Sequence, residues 1–210
     1  MIIDAGFLNQ WEHKGHRYGE CMSHKDSPLM YVYIPKNASS WTKPNLKDFG
    51  WEFYNYHDDK LNKLALVVLR DPIDRWVSGI AEYLTLYHST IDMHNEDIIE
   101  IIFDQLTFDD HTESQVKFTH GLDTKKCIFF MCNDTYSANF SKFMKERYGS
   151  DNKYSTYDYQ HVSANSADRN KFKNHFSQLL QKNPQYLKQL EQHFAADYKL
   201  MEQIKFYDAR

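Results

Sequence analysis

Four short apolar runs stand out along an otherwise polar chain: Leu29–Ile34 (LMYVYI), Trp51–His57 (WEFYNYH), Leu64–Leu69 (LALVVL) and the CIFFMC run over 127–132. Each has the length and the aromatic or β-branched content of a strand. LALVVL does not alternate with polar residues, which is the pattern of a strand covered on both faces. The segments between and after these runs have a different period. Ile73, Trp76, Val77, Ile80 and Leu84 recur at helical spacing, Asp71 is placed to cap that helix, and Pro72 suits its first position. Further helices are predicted at about 96–106, 110–120 and 139–149, with Asn133 or Asp134 as cap and Gly149 as stop. Two more close the chain at about 167–181 and 184–206, the last opened by Pro184. After the first strand, Asn37 or Ser39 could cap a short helix, which Pro44 keeps brief or kinked at Lys43. Residues 1–28 read as a mixed polar arm and residues 150–167 as a polar loop.

Strands that alternate with helices imply parallel pairing and right-handed crossovers. The expectation is a single α/β domain over residues 1–210, a three-layer P-loop-like fold with a central parallel β-sheet flanked by helices. Such sheets bind ligands beyond the carboxyl ends of their strands. Lys36 and Arg70 fall just past the ends of the first and third strands, so two basic residues share one lip of the sheet.

Composition narrows the class. The 210 residues are 41% hydrophobic and 26% charged, enough apolar material for a packed core. A formal net charge of −4 argues against general affinity for nucleic acid or anionic membrane, though not against a local basic pocket. Cys21, Cys127 and Cys132 have no zinc-like spacing and read as reduced core thiols. No apolar run reaches the length of a membrane span, and no signal peptide is evident, which gives a cytoplasmic protein as the expectation. Oligomeric state leaves no trace in the sequence.

The first strand runs into IPKNASSW, a lysine loop without glycine and without the G-x-x-x-x-G-K-[ST] pattern of nucleotide-binding loops. This stretch resembles the phosphosulfate-binding loop of the sulfotransferases that use PAPS (3′-phosphoadenosine 5′-phosphosulfate), often written P-K-S-G-T-T-W. Pro35, Lys36, Ser39, Ser40 and Trp41 are in register with it, and Asn37 and Ala38 replace Ser-Gly, as also occurs in the carbohydrate branch of the family. VVLRDPIDRWVS resembles the family's 3′-phosphate segment, in which an arginine at a strand end is followed eight positions later by a serine; Arg70 and Ser78 match. DDHTESQVKF is similar to the H-x-x-x-Q segment of the Golgi carbohydrate branch, and Asn165 and Ser166 in HVSANS are similar to its Asn-x-Ser segment near the nucleotide.

The resemblance implies a sulfotransferase with PAPS as cofactor, no metal, and a hydroxyl-bearing acceptor, most naturally a saccharide. It implies that Pro35, Lys36, Asn37, Ala38, Ser39, Ser40 and Trp41 hold the phosphosulfate end, and that Arg70, Ser78, Asn165 and Ser166 hold the rest of the nucleotide. The chemistry agrees. Backbone N–H groups at a helix start neutralise an anhydride, and Lys36 can follow the charge developing on the leaving oxygen. Arg70 offers a bidentate fork to a phosphate. Trp41 either stacks on adenine or packs in the core. Arg75 could be a third phosphate contact but reads more readily as a helix-surface salt-bridge partner, and Asp109 and Asp110 read as helix caps. The acceptor hydroxyl needs a base, for which His57, at the end of the second strand, comes first, then His111 and then Glu52. Two other functions compete: a P-loop-like kinase for a small molecule, and a non-catalytic module that binds PAP or another nucleotide.

Overall fold

A computed structural model describes residues 18–55, 63–148 and 167–208. The described residues fall into two compact units. One holds residues 18–55, 63–71, 115–148 and 199–208; the other holds 72–114 and 167–198.

The first unit is built on a five-stranded sheet in the order β3-β1-β2-β4-β5. Its strands are β1 (Glu20–Ser23), β2 (Leu29–Val32), β3 (Glu52–Asn55), β4 (Leu64–Leu69) and β5 (Cys127–Met131). The sheet is mixed, which corrects the expectation of a parallel one. β2, β4 and β5 run parallel, but β1 pairs antiparallel with both β2 and β3. β1 lies inside the segment read as a polar arm. Its four residues ECMS carry no β-branched side chain, so nothing local marks them as a strand; pairing on both edges makes them one. β3 is the sheet edge, and all four of its residues are exposed, which fits the polar members of the aromatic run Trp51–His57.

β4 shows why a continuous apolar run is needed at the centre. Leu66 and Val68 point to one face, into a cluster with Trp41, Leu46, Phe140, Phe143 and Met144. Ala65, Val67 and Leu69 point to the other, into a cluster with Phe118, Leu200 and Met201. Helices therefore cover both faces: α1 (Ser39–Asp48) and α5 (Tyr136–Tyr148) on the first, α4 (Gln115–Phe118) and the end of α8 (Ala195–Gln203) on the second. Pro44 lies inside α1 without ending it. Asn45 Nδ2 donates to Trp41 O at 2.6 Å, so a side-chain donor joins the carbonyls near the proline.

The second unit is helical: α2 (Pro72–Tyr87), α3 (Glu96–Gln105), α6 (Ala167–Lys182) and α7 (Pro184–His193). The predicted stripe on α2 is its buried face. Trp76, Ile80 and Leu84 join Ile99, Ile102, Phe103, Phe172, Phe176 and Leu190 in one core. Burying each such large side chain contributes roughly 1.5–3 kcal/mol. Two predicted helices differ in extent. Residues 109–114 form turns, so only Gln115–Phe118 of the segment 110–120 is helical. The closing helix breaks at Phe194, which is 1% exposed and anchored in the core, into α7 and α8. Among the described residues no helix is long and apolar enough to cross a membrane. All three cysteines are free thiols.

Candidate functional site

The loop between β2 and α1 carries two non-glycine residues in the left-handed region, Lys36 (φ 68°) and Ala38 (φ 55°). Ala38 is the N-cap of α1, with no side-chain cap, where Asn37 or Ser39 had been expected. Its carbonyl starts the helix by accepting from Trp41 N (3.0 Å), Thr42 N (2.9 Å) and Thr42 Oγ1 (3.0 Å). Thr42 Oγ1 also bonds the hydroxyl of Tyr136 at 2.7 Å, and burial holds that phenol well above its usual titration range. Of the first-turn amides, those of Ser39 and Ser40 have no acceptor within the helix. The first turn contains no acidic residue, and neither does the whole stretch from Pro35 to Trp41. A helix start favours negative charge, and no residue of this loop supplies it.

Asn37 faces inward and is fully buried. Its Nδ2 donates to Val68 O at 2.8 Å and to Gln115 Oε1 at 2.6 Å. Gln115, 1% exposed, also pairs with the backbone of Arg70: Arg70 N donates to Oε1 at 3.0 Å, and Nε2 donates to Arg70 O at 2.9 Å. Strand parity explains why amides stand here. Successive residues of β4 present their N–H and C=O groups to opposite neighbours. Leu69 O is taken on the β5 side by Cys132 N at 2.7 Å, so Val68 and Arg70 face the β2 side. β2 ends at Val32 and its chain turns away into the lysine loop. Two side-chain amides then take the ladder positions that β2 vacates. One atom of this network, Asn37 Oδ1, is buried and accepts no hydrogen bond from the described residues.

The same arrangement brings two predicted residues together. Arg70 Nη1 lies 3.4 Å from Lys36 O, so the guanidinium rests against the lysine loop. Lys36, Ala38 and Arg70 are half-buried, Pro35 and Ser39 are buried, and Ser40 is exposed. Trp41 is 8% exposed and meets Tyr136 and Phe140 edge-on at 5.6 and 6.0 Å, which is the core alternative of its two readings. Glu52 sits exposed on the edge strand, where Tyr54 Oη donates to it at 3.3 Å. His57, Asn165 and Ser166 lie outside the described residues.

No protein-family model, curated protein or solved structure matches the chain.

Ser78 and His111 belong to the helical unit. Ser78 is half-buried on α2. His111 lies in a turn organised by Asp109, which is fully buried. Asp109 Oδ1 accepts from the N–H groups of His111 (2.9 Å) and Thr112 (3.2 Å), and Oδ2 lies 2.7 Å from His111 Nδ1. Asp110 Oδ1 is 3.1 Å from the same nitrogen. Two carboxylates on Nδ1 put the ring proton there and leave Nε2 as the basic atom. The ligand atoms of these three residues lie within 4.8 Å of one another, and the imidazole N–H fills the gap that a cation would take. Asp109 thus caps a turn, where a helix had been expected, through Oδ1 and orients a histidine through Oδ2; the D-x-H spacing was the signal for the second role.

Arg75 corrects its sequence reading as well. It is 1% exposed and donates through Nη2 to Asp110 O at 2.9 Å and through Nη1 to Glu113 O. Burial pushes its guanidinium down to about 10 against the opposing pull of Asp197, Asp110, Asp109 and Glu113. Gly79, one turn on, shares that face of α2: a Cβ there would lie 2.1 Å from His111 O. Arginine and glycine together let the 110–113 backbone lie directly on the helix.

Proposed function

We propose that this chain is a PAPS-dependent sulfotransferase of P-loop-like fold that acts on a hydroxyl, with a saccharide as acceptor class. The observation that carries the reading is the seating of Arg70 against the lysine loop, Nη1 to Lys36 O at 3.4 Å, at a helix start without acidic residues. The donor set fits the cofactor: an ammonium, a guanidinium, hydroxyls and the backbone N–H groups of a helix start, with no carboxylate among residues 35–41. PAPS, when bound, supplies an activated sulfuryl group on a phosphate leaving group.

In this reading Ser39 and Ser40, with their backbone N–H groups, bind the phosphosulfate end. Lys36 stabilises the charge that develops there as transfer proceeds. Arg70 holds the 3′-phosphate, the role the resemblance also gives to Ser78. The acceptor proton goes to one of the two candidate histidines, His57 or His111, of which His111 is held by Asp109 through Nδ1. Asn165 and Ser166 contribute further nucleotide contacts, and Trp41 supports the loop from the core.

The test is transfer of labelled sulfate from PAPS to a panel of saccharides. Wild type should label at least one acceptor, Lys36→Ala none, and Asp109→Asn should keep cofactor affinity while losing turnover if His111 is the base. Undiminished transfer by Lys36→Ala overturns the reading. Activity that requires ATP and magnesium instead points to a kinase, and PAP binding without transfer to a binding module.

A further inference from the structure

We propose that Gln115 is a positioning residue for this anion site, setting where Arg70 delivers its guanidinium and how Asn37 holds the lysine loop. The inference rests on the reading above. Gln115 is 1% exposed, and both ends of its amide are engaged by the chain itself. It therefore acts through other residues. Its two bonds to Arg70 fix both backbone groups of a residue that links the end of β4 to the loop. Its bond from Asn37 fixes the residue between the two left-handed positions, Lys36 and Ala38.

The chemistry of the pairing is specific. Gln115 needs an acceptor towards two N–H groups and a donor towards one carbonyl, which a carboxamide supplies and a carboxylate does not. Glutamate would set an anionic oxygen against Arg70 O and add negative charge behind a site meant for an anion. Asparagine is a methylene shorter and cannot span the same three partners. A purely structural amide would affect folding alone; a positioning amide affects ligand affinity through Arg70.

The experiment is calorimetric titration of the full chain with PAP, for wild type, Gln115→Leu and Gln115→Glu, each also in the Arg70→Ala background and well below its unfolding temperature. Gln115→Leu and Gln115→Glu should each weaken PAP by about tenfold or more. Most of that loss should vanish once Arg70 is alanine, because the main effect passes through that residue and only the smaller part through Asn37. If Gln115→Leu does not fold, the near-isosteric Gln115→Glu carries the test, and Asn37→Ser cuts the same network from its other end. Wild-type affinity in the Gln115 variants, or an equal loss without Arg70, overturns this inference and leaves the sulfotransferase reading intact. Failure of wild type to bind PAP overturns both.

Discussion

The side-chain amide of Gln115 meets both backbone polar groups of Arg70, at 3.0 Å from its N–H and 2.9 Å from its C=O. It does what a neighbouring strand would do if β2 ran further. The loop that departs there is thereby anchored without glycine, through two buried amides and two residues in left-handed conformation. The cost is local: Asn37 Oδ1 is buried without a donor among the described residues, and left-handed backbone at Lys36 and Ala38 is unfavourable by roughly 1–2 kcal/mol per residue.

Asn37 acts as a donor towards Val68 O and Gln115 Oε1. Replacing it by aspartate sets a carboxylate against two acceptors in a dry site. Asn37→Asp should destabilise the protein by about 3 kcal/mol, and Asn37→Ser by less, since it removes the donor without adding charge. Urea midpoints at neutral pH check the order; equal midpoints would mean that the amide faces the other way.

Gly79 leaves no room for a methyl group, since a Cβ would lie 2.1 Å from backbone oxygen rather than from a side chain that could swing aside. Gly79→Ala should cost about 1–3 kcal/mol, despite alanine's better helix propensity. In NMR spectra at one fixed pH the His111 ring signals should move as well, because the turn that holds them is displaced. A more stable Gly79→Ala variant would contradict the close packing.

Arg75 donates to the carbonyls of Asp110 and Glu113, and it sits among four carboxylates. Arg75→Met keeps most of the volume but strands those groups, and should cost about 3–5 kcal/mol. Arg75→Lys should recover only part of this, because one ammonium cannot reproduce the planar fork. Thermal unfolding of the three proteins gives the ranking directly.

His175 gives the pH dependence. Burial, then His94 and Lys171, hold its titration below the ordinary value of 6.5. His88 is depressed in the same direction by burial. A depressed histidine contributes stability above the unfolded value and loses it as pH falls through the folded value, because the unfolded chain binds the proton first. The unfolding midpoint should therefore fall from about pH 7.5 to about pH 5.5, and less steeply in His175→Gln. An unchanged slope in that variant would assign the effect to other groups.

Much of this architecture is written locally. β4 is legible because a fully covered strand must be apolar throughout, and α2 because Trp76, Ile80 and Leu84 keep a helical period behind Pro72. Lys36 and Arg70 follow from the ends of two such strands. The rest depends on partners far away in sequence. β1 is a strand through its pairing with β2 and β3, not through ECMS itself. Arg75 reads as a surface charge until the 110–113 carbonyls are laid against it, and Trp41 stays open between stacking platform and core until Tyr136 and Phe140 meet it. Gln115 stands out in sequence only through the H-x-x-x-Q segment; its pairing with a strand end some 45 residues earlier has no local signature.

The most direct test of the account is calorimetric titration of the purified chain with PAP, repeated with ATP plus magnesium. The account predicts tight binding of PAP, its marked but measurable weakening in Arg70→Ala, and no preference for ATP with magnesium. Absence of PAP binding, or a clear preference for ATP with magnesium, would contradict it.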